Sequence, residues 1–449
     1  MHNWYALSPA SAVHLPMTLC GGQCFRWRMT KRNTWVGVVQ CAAYELCISS
    51  NPPGMNGSHK PNENSEISAN SSYFAYEKSF NETIWFRCLS HELKNESDVS
   101  TEALFLHYYL SLDVDLEKLW REWTVENPMR EHPLVEYLIS RFNVNLPINI
   151  RHLRQDIHET LLTFLCSQNN NVKRITSLLD KISVSYGEYL CDYNLVTGDI
   201  RKKNTDNRHK NIKMKEREIG DNVRGEWISL HFLPTISQLA KISENELREL
   251  GFGYRSKYVI ECASIIKASG ETRYPRKQGS VQTNSLVHSY KWYDDLLNPA
   301  LTLYERREKL LSLPGIGRKV SDCILLFGLG HHELVPVDTH IAQIAAEYLT
   351  RKEKHENKIK NTEQYYYRKR PRFKDNLNEE KASSGVISWE NVLSEWDKKR
   401  IGRNYKFPPI STKHHDAIQV GFQYLFGDYC GWAHSILFYD RIKKENKRT

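Results

Sequence analysis

The sequence predicts an α+β protein, with an antiparallel β domain at the N-terminus followed by a mostly helical domain. Three observations carry that prediction. Short runs of β-branched and aromatic residues before residue 100 have the composition and alternation of strands. From about Thr101 the apolar residues change to three- and four-residue spacing. Far along the helical part, Leu313-Pro314-Gly315-Ile316-Gly317 joins two amphipathic stretches as a tight turn, which makes a helix–hairpin–helix over 304–329.

In chain order, Cys24–Arg28, Thr34–Gln40, Ala43–Ser49 and Glu82–Leu89 read as strands, with a polar turn at Lys31-Arg32-Asn33. Asn51–Ser72 is rich in Asn, Ser, Pro and Gly and is expected to be a disordered insertion. The β domain is therefore expected over 1–100 and the helical domain over 101–449. Helices are predicted at Leu104–Leu110, Leu116–Trp123, Pro133–Phe142, Ile157–Leu165, Val172–Ile182, Thr235–Leu250 and Lys257–Ala268. Gly251-Phe252-Gly253 stops and turns the chain between the last two. The hairpin helices follow, then Thr339–Leu349, His415–Phe426 and Trp432–Ile442. Two polar stretches, 199–224 and 351–384, carry many charges and few apolar residues and are expected to lie outside the packed domain.

Composition narrows the class. With 449 residues, 40% of them apolar, and eleven tryptophans, the chain can build a soluble core. A net charge of +9 favours an acidic partner such as nucleic acid, although many basic proteins bind none. The ten cysteines are scattered and form no close four-ligand set, which argues against a zinc ribbon or a tight iron–sulfur loop. No apolar run reaches membrane length and no signal h-region is seen, so an intracellular protein with free thiols is expected. Basic clusters at 365–372 and 443–448 could serve nuclear import, although such clusters are more often solvated faces.

The hairpin holds the residues that could carry chemistry. Gly315 and Gly317 let the backbone turn sharply, and the first N–H groups of the following helix form an anion site. Lys319 sits on that helix's first turn. Its bland role is to bind phosphate; its sharp role is that of a nucleophile, since a neutral amine attacks an electrophilic sugar carbon and forms a Schiff base. The positive end of the helix dipole is expected to ease its deprotonation. Cys323, four residues on, shares its face and is either a small core residue or a tuning group. Asp338, nineteen residues after Lys319, has the setting of an N-cap. A capping carboxylate held by backbone N–H groups can also stabilise a cationic sugar as a base departs.

Taken together, GIGRKVSDC and Asp338 resemble the helix–hairpin–helix DNA glycosylase superfamily. Lys319 matches the lysine nucleophile of members that also cleave the sugar–phosphate chain. Monofunctional members place another residue there. The iron–sulfur branch needs four close C-terminal cysteines, and here only Cys430 follows the aspartate. Four further segments are similar to eukaryotic 8-oxoguanine DNA glycosylase/lyase: TLCGGQCFRW (18–27), FLCSQNNN (164–171), GFGYR (251–255) and GWAHSILF (431–438).

The resemblance implies a helical glycosylase domain and a site assembled from distant segments. Gly22 matches a glycine whose carbonyl accepts a hydrogen bond from N7–H of 8-oxoguanine. Guanine has a bare N7 there, and the mismatch costs about 1–3 kcal/mol. Phe438 matches the aromatic that stacks on the extruded base, and Cys323 the residue on its other face. Asn169 matches the side chain that fills the vacated duplex space. Arg174 and Arg255 match the pair that reads the opposite cytosine, with Tyr254 the wedge beside them, and His340 matches a histidine near the target phosphate. For most of these positions the residues alone would equally suit a turn glycine, a core phenylalanine, a polar turn or surface ion pairs.

His434 departs from the pattern, because the family glutamine there reads the base's Watson–Crick edge. A neutral imidazole offers one donor and one acceptor, whereas imidazolium only donates. The implied activity is excision of 8-oxoguanine, with formamidopyrimidine, opposite cytosine, followed by β-elimination. It would act on double-stranded DNA, as a monomer without metal or organic cofactor, away from membranes, in the nucleus and conceivably in mitochondria. The alternatives are a superfamily glycosylase for another base and a non-catalytic DNA-binding module. From sequence alone, excision is expected to weaken at acidic pH relative to a His434→Gln variant; parallel pH profiles would refute that.

Overall fold

The computed structural model describes residues 3–40, 42–53, 82–142, 149–202, 226–272, 289–350, 389–401 and 410–446. The expected insertion from residue 54 on, the polar stretches 203–224 and 351–384, the basic cluster 365–372 and the tail from 447 lie outside the described residues. The chain divides into two compact units, residues 1–113 with 149–294, and residues 114–148 with 295–449. No helix among the described residues is long and apolar enough to cross a membrane.

The first unit is built on a five-stranded antiparallel sheet. Its strands are β1 (Tyr5–Pro9), β2 (Trp27–Met29), β3 (Trp35–Val39), β4 (Ala42–Ser49) and β5 (Thr83–Cys88), in the order β1-β5-β4-β3-β2. One face carries Trp27, Trp35, Tyr44, Leu46, Ile84 and Phe86 into a core shared with Leu106 and Tyr109 of helix Glu96–Tyr109. Trp27 pairs with Gly37, and a Cβ on Gly37 would come within 2.4 Å of the Trp27 ring. Only glycine therefore lets the indole lie across the neighbouring strand. The edge strand β1 was not foreseen, being short and ending in proline.

The expectation that the chain stays helical beyond Thr101 is corrected by a second sheet. Strands β6 (Tyr189–Asn194), β7 (Ile200–Arg201) and β8 (Trp227–His231) pair antiparallel in the order β7-β6-β8. A two-stranded ladder joins β9 (Glu271–Thr272) to β10 (Ser289–Tyr290). Cys191, Tyr193 and Leu230 of the second sheet share a cluster with Val36, Val38 and Ala43 of the first. All five residues of β3 are consequently buried, and the unbroken apolar run WVGVV is the signature of a strand covered on both faces.

Helices Leu15–Cys20, Ile157–Ser167, Val172–Tyr186 and Arg255–Ala268 complete the part of this unit that bears on the site. The predicted helix 235–250 is two, Ile236–Leu239 and Glu244–Glu249, because Ser243 starts the second with a capping box to Glu246.

The second unit is helical. It comprises Leu116–Thr124, Pro133–Arg141, the hairpin helices Leu303–Leu311 and Arg318–Leu329, Thr339–Ile344 continuing into a π turn at Ala345–Leu349, and Trp389–Ile401, Thr412–Phe426 and Cys430–Asn446. Distant pieces are joined by polar ties: Trp123 Nε1 donates to the Phe426 carbonyl at 2.9 Å, and Asn127 Nδ2 to that of Leu425 at 2.9 Å. The Tyr137 hydroxyl donates to Asp440 at 2.6 Å, and Arg141 pairs with the same carboxylate at 2.8 Å.

In the first unit, buried Gln23 fixes the loop that follows helix Leu15–Cys20. Its Nε2 donates to the carbonyls of Thr18 (2.9 Å) and Arg151 (2.7 Å), and its Oε1 accepts from the Leu153 N–H (2.9 Å). Gln23→Ala strands one buried donor and two acceptors at about 1–3 kcal/mol each at most, so a stability loss of roughly 3 kcal/mol in urea unfolding is expected. A midpoint and slope equal to wild type would show that the loop is held by something else.

Candidate active site

The hairpin is set by a capping box and a buried ion pair. Thr302 and Glu305 cap the first helix reciprocally. Gly315 turns the chain with φ +79°, a conformation that disfavours side chains. Gly317 then caps the second helix without a side-chain hydrogen bond, and a Cβ there would meet nothing within 4 Å. The helix start thus opens onto an uncrowded surface with its first-turn N–H groups directed outward, which suits an anion. The helices are clasped by Asp322, 2% exposed, which accepts from Arg307 Nε at 2.9 Å and Arg318 Nε at 3.0 Å. Arg318 also reaches Asp416 at 2.8 Å.

Lys319 is half-buried beside Cys323 and Asp338. Burial pulls its pKa down, but the Cys323 and Asp338 side chains outweigh that and leave it raised. The Cys323 thiol is itself pushed up to about 11, chiefly by burial, so at neutral pH it is uncharged and hydrogen-bonds the lysine as a thiol. Asp338 is then the charge that matters. The expectation that the helix N-terminus leaves the amine readily deprotonated is therefore corrected: the resting group is an ammonium.

Asp338 is the N-cap of Thr339–Ile344, and its Oδ1 accepts from the N–H groups of His340 (2.9 Å) and Ile341 (3.0 Å). Those bonds aim the side chain and leave Oδ2 to act on what faces it. His434 and Phe438 come from the last helix and stack with ring centroids 6.0 Å apart, while His340 meets Phe438 edge-on at 5.7 Å. Gly431 allows the approach: its N–H bonds the His332 carbonyl at 2.9 Å, and a Cβ would fall 2.4 Å from the Leu334 carbonyl. Gln419 holds the same segment from the other side, accepting from Val335 N–H at 2.7 Å and donating to the Glu333 carbonyl. This unit therefore gathers Lys319, Cys323, Asp338, His340, His434 and Phe438. Asp322, Gln419 and Gly431 were missed from sequence; Arg318 four residues before Asp322 was the available signal for the first.

In the other unit, Gly22 follows helix Leu15–Cys20 with φ +94° and is backed by the Gln23 ties. Cys24 Sγ lies 3.9 Å from Glu159 Oε1, and Arg26 lies 3.7 Å from Glu159, which anchors this loop to helix Ile157–Ser167. Burial pushes Glu159 up to about 7. At that helix's far end Asn169 is exposed with φ +45°. Arg255, 3% exposed, holds the turn by donating from Nε to the Gln168 carbonyl at 3.0 Å and from Nη2 to that of Asn169 at 3.0 Å. Tyr254, 46% exposed, lies under the Arg255 guanidinium at 4.5 Å, and its hydroxyl bonds Gln168 at 3.3 Å. Exposed Arg174 donates to the Gly251 carbonyl at 3.4 Å. Asn169, Arg174, Tyr254 and Arg255 thus form one cluster around two turns. Among the described residues no group of three or more His, Cys, Asp or Glu side chains is placed to hold a metal ion.

Residues 6–161 match the family model described as the N-terminal domain of 8-oxoguanine DNA glycosylase, and residues 162–366 match that of the HhH-GPD superfamily base excision DNA repair proteins. The chain belongs to the 8-oxoguanine DNA glycosylase family. An N-glycosylase/DNA lyase OGG1 of Arabidopsis thaliana is 27% identical over 347 residues, 77% of this chain and 69% of that protein. The N-glycosylase/DNA lyase of Saccharomyces cerevisiae is 28% identical over 302 residues, 66% of this chain and 58% of the yeast protein. In fold, the chain is similar to the Clostridium acetobutylicum 8-oxoguanine glycosylase/lyase solved with double-stranded DNA containing cytosine opposite 8-oxoG. That likeness has a TM-score of 0.51 at 17% identity and covers 97% of this chain and 93% of that one. His434 and Phe438 lie beyond the residues that the family models match.

The His434 ring is 5% exposed, and burial drives its pKa down to about 4, although Asp338 and the carbonyls of Gly431 and Pro336 favour the charged form. Charging therefore falls near pH 4, and the acid sensitivity expected from sequence moves down with it. Stability carries the signal instead. The unfolded imidazole takes a proton below its ordinary value of 6.5 while the folded one does not, so stability is full above that pH and is lost as pH falls toward 4. Wild type is expected to lose roughly 2 kcal/mol relative to His434→Gln between neutral pH and pH 4.5, read by denaturant unfolding. A pH-independent difference between the two would place the imidazole in water.

Proposed function

We propose that this chain removes 8-oxoguanine, and with it formamidopyrimidine, from opposite cytosine in double-stranded DNA and then cuts the strand. The reading rests on one observation: a half-buried amine, a capping carboxylate and an aromatic face converge in a family of base excision repair proteins. In this reading the hairpin's N–H groups and the basic surface hold phosphates, and the lesion is flipped out of the stack into the pocket. Phe438 and Cys323 receive the base, and the Gly22 carbonyl accepts its N7–H. Arg174 and Arg255 read the cytosine, Asn169 and Tyr254 occupy the duplex, and His340 lies at the target phosphate.

The charge state of Lys319 orders the chemistry. As the C1′–N bond breaks, positive charge grows on the sugar and negative charge on the base; Asp338 stabilises the first. The base anion is a suitable acceptor for the ammonium proton, and the neutral amine so formed bonds to C1′. Ring opening turns that bond into a protonated imine, which acidifies the C2′ proton. Loss of that proton expels the 3′ phosphate by β-elimination. We place the enzyme in the nucleus as a monomer, with a mitochondrial share left to fractionation.

Borohydride reduction on an 8-oxoguanine:cytosine duplex is expected to trap wild type covalently and to leave Lys319→Gln without adduct, although the variant still binds the duplex. Trapping of the variant at the wild-type level would remove Lys319 from the nucleophile's role. Competition with alkylated bases in the same assay separates this reading from a superfamily glycosylase of another specificity, and absence of any strand nicking would favour a binding module.

A further inference from the structure

In the unit built on the five-stranded sheet, the end of β5 gathers a thiol, an imidazole and a carboxylate that the glycosylase chemistry does not use. Cys88, the last strand residue, has its Sγ 3.3 Å from His91 Nδ1. His91 Nε2 lies 3.3 Å from Glu102 Oε1, and the Tyr44 hydroxyl donates to the other oxygen of the same carboxylate. Ser90 Oγ is within 3.4 Å of the sulfur and 3.2 Å of Nδ1, and the Lys202 ammonium bonds the Ser90 carbonyl at 3.0 Å. The arrangement has a local cause. The chain turns as it leaves the strand and brings His91 back over Cys88, while Glu102 comes from helix Glu96–Tyr109 behind it.

The order thiol, imidazole, carboxylate is that of an activated cysteine: a base beside the nucleophile and a third group that orients the base. We propose that Cys88 is a peroxide-reactive thiol, activated by His91 and positioned through Glu102, and therefore a site of reversible oxidation. The Cys88 hydrogen bond and then Glu102 raise His91 to about 10, so the ring keeps a proton with which to hold a thiolate. Burial pushes the thiols of Cys166 and Cys262 up to about 12.

Size selects the oxidant. Cys88 is 2% exposed and the His91 side chain 23% exposed, so only an oxidant of about the size of water is expected to reach the sulfur. A hydroperoxide fits. The thiolate attacks its terminal oxygen, the S–O bond forms as the O–O bond breaks, and the leaving oxygen takes the proton held by His91. Sulfur is oxidised to sulfenic acid and hydrogen peroxide is reduced to water, with His91 left neutral.

The test exposes the full-length protein to limiting hydrogen peroxide, stops the reaction with catalase, unfolds the protein in dimedone and maps the adducts by peptide mass spectrometry. Cys88 is expected to be modified roughly tenfold faster than Cys166 or Cys262, with His91→Gln removing most of that advantage and Glu102→Gln part of it. An unchanged rate at Cys166 reports that each variant remains folded. Modification of Cys88 no faster than Cys166 in wild type overturns the proposal, as does a wild-type rate in a folded His91→Gln variant. Should that substitution loosen the fold, the wild-type comparison decides alone.

Discussion

A half-buried amine facing one carboxylate is the constraint on which the proposed catalytic pocket depends. Burial pulls the Lys319 pKa down, and the Cys323 and Asp338 side chains outweigh that pull. Under the proposed mechanism the opposition is useful, because the two groups are needed at different moments. While the base is attached, the paired charges leave the lysine unreactive and the carboxylate positioned. Once the glycosidic bond polarises, the carboxylate gains a second cation to interact with, its hold on the ammonium weakens, and the proton can leave. An amine that was neutral throughout would lack that gating.

The rest of the second unit serves to hold that pair at fixed separation. Asp338 is aimed by two backbone N–H groups, and the segment leading to it is gripped by Gln419 and covered by the last helix at Gly431. Lys319 is fixed by a different device, the Asp322 carboxylate between Arg307 and Arg318. A buried carboxylate with two guanidiniums is costly to desolvate and costly to break, so its worth lies more in registering the two hairpin helices than in net stability.

Much of this was legible in the sequence, for reasons that differ by element. The hairpin announces itself because turn chemistry is local: Gly315 and Gly317 and the flanking helical periods lie within a few residues. Lys319 and Asp338 were found through that turn and through capping, both short-range signals. The second sheet was not found, because β6 and β8 are separated by a polar stretch and β7 has only two residues. The unbroken apolar run of β3 was the available signal of a covering layer, and it was read only as a strand. The charge state of Lys319 was misjudged since it depends on the side chains of Cys323 and, nineteen residues away in the chain, Asp338, and helix-dipole reasoning sees only the local backbone. The Arg255 grip on the Asn169 turn was equally invisible, because it links residues 86 apart.

His434 shows how context changes what a substitution means. In isolation an imidazole in place of an amide adds a titrating group with donors and acceptors to offer a base. In the fold it is buried, neutral above about pH 4, and set between the carbonyls of Gly431 and Pro336 while stacking on Phe438. A neutral ring has one N–H for those two carbonyls, so its polar capacity is largely engaged by backbone before any base arrives. Under the proposed reading, selection of the oxidised base then rests more heavily on the Gly22 carbonyl, and the His434–Phe438 stack supplies a rigid wall. Glutamine could rotate its amide toward a base edge. The stacked imidazole exchanges that reach for a preformed surface, and such a pocket grips the base more by shape and less by its edge.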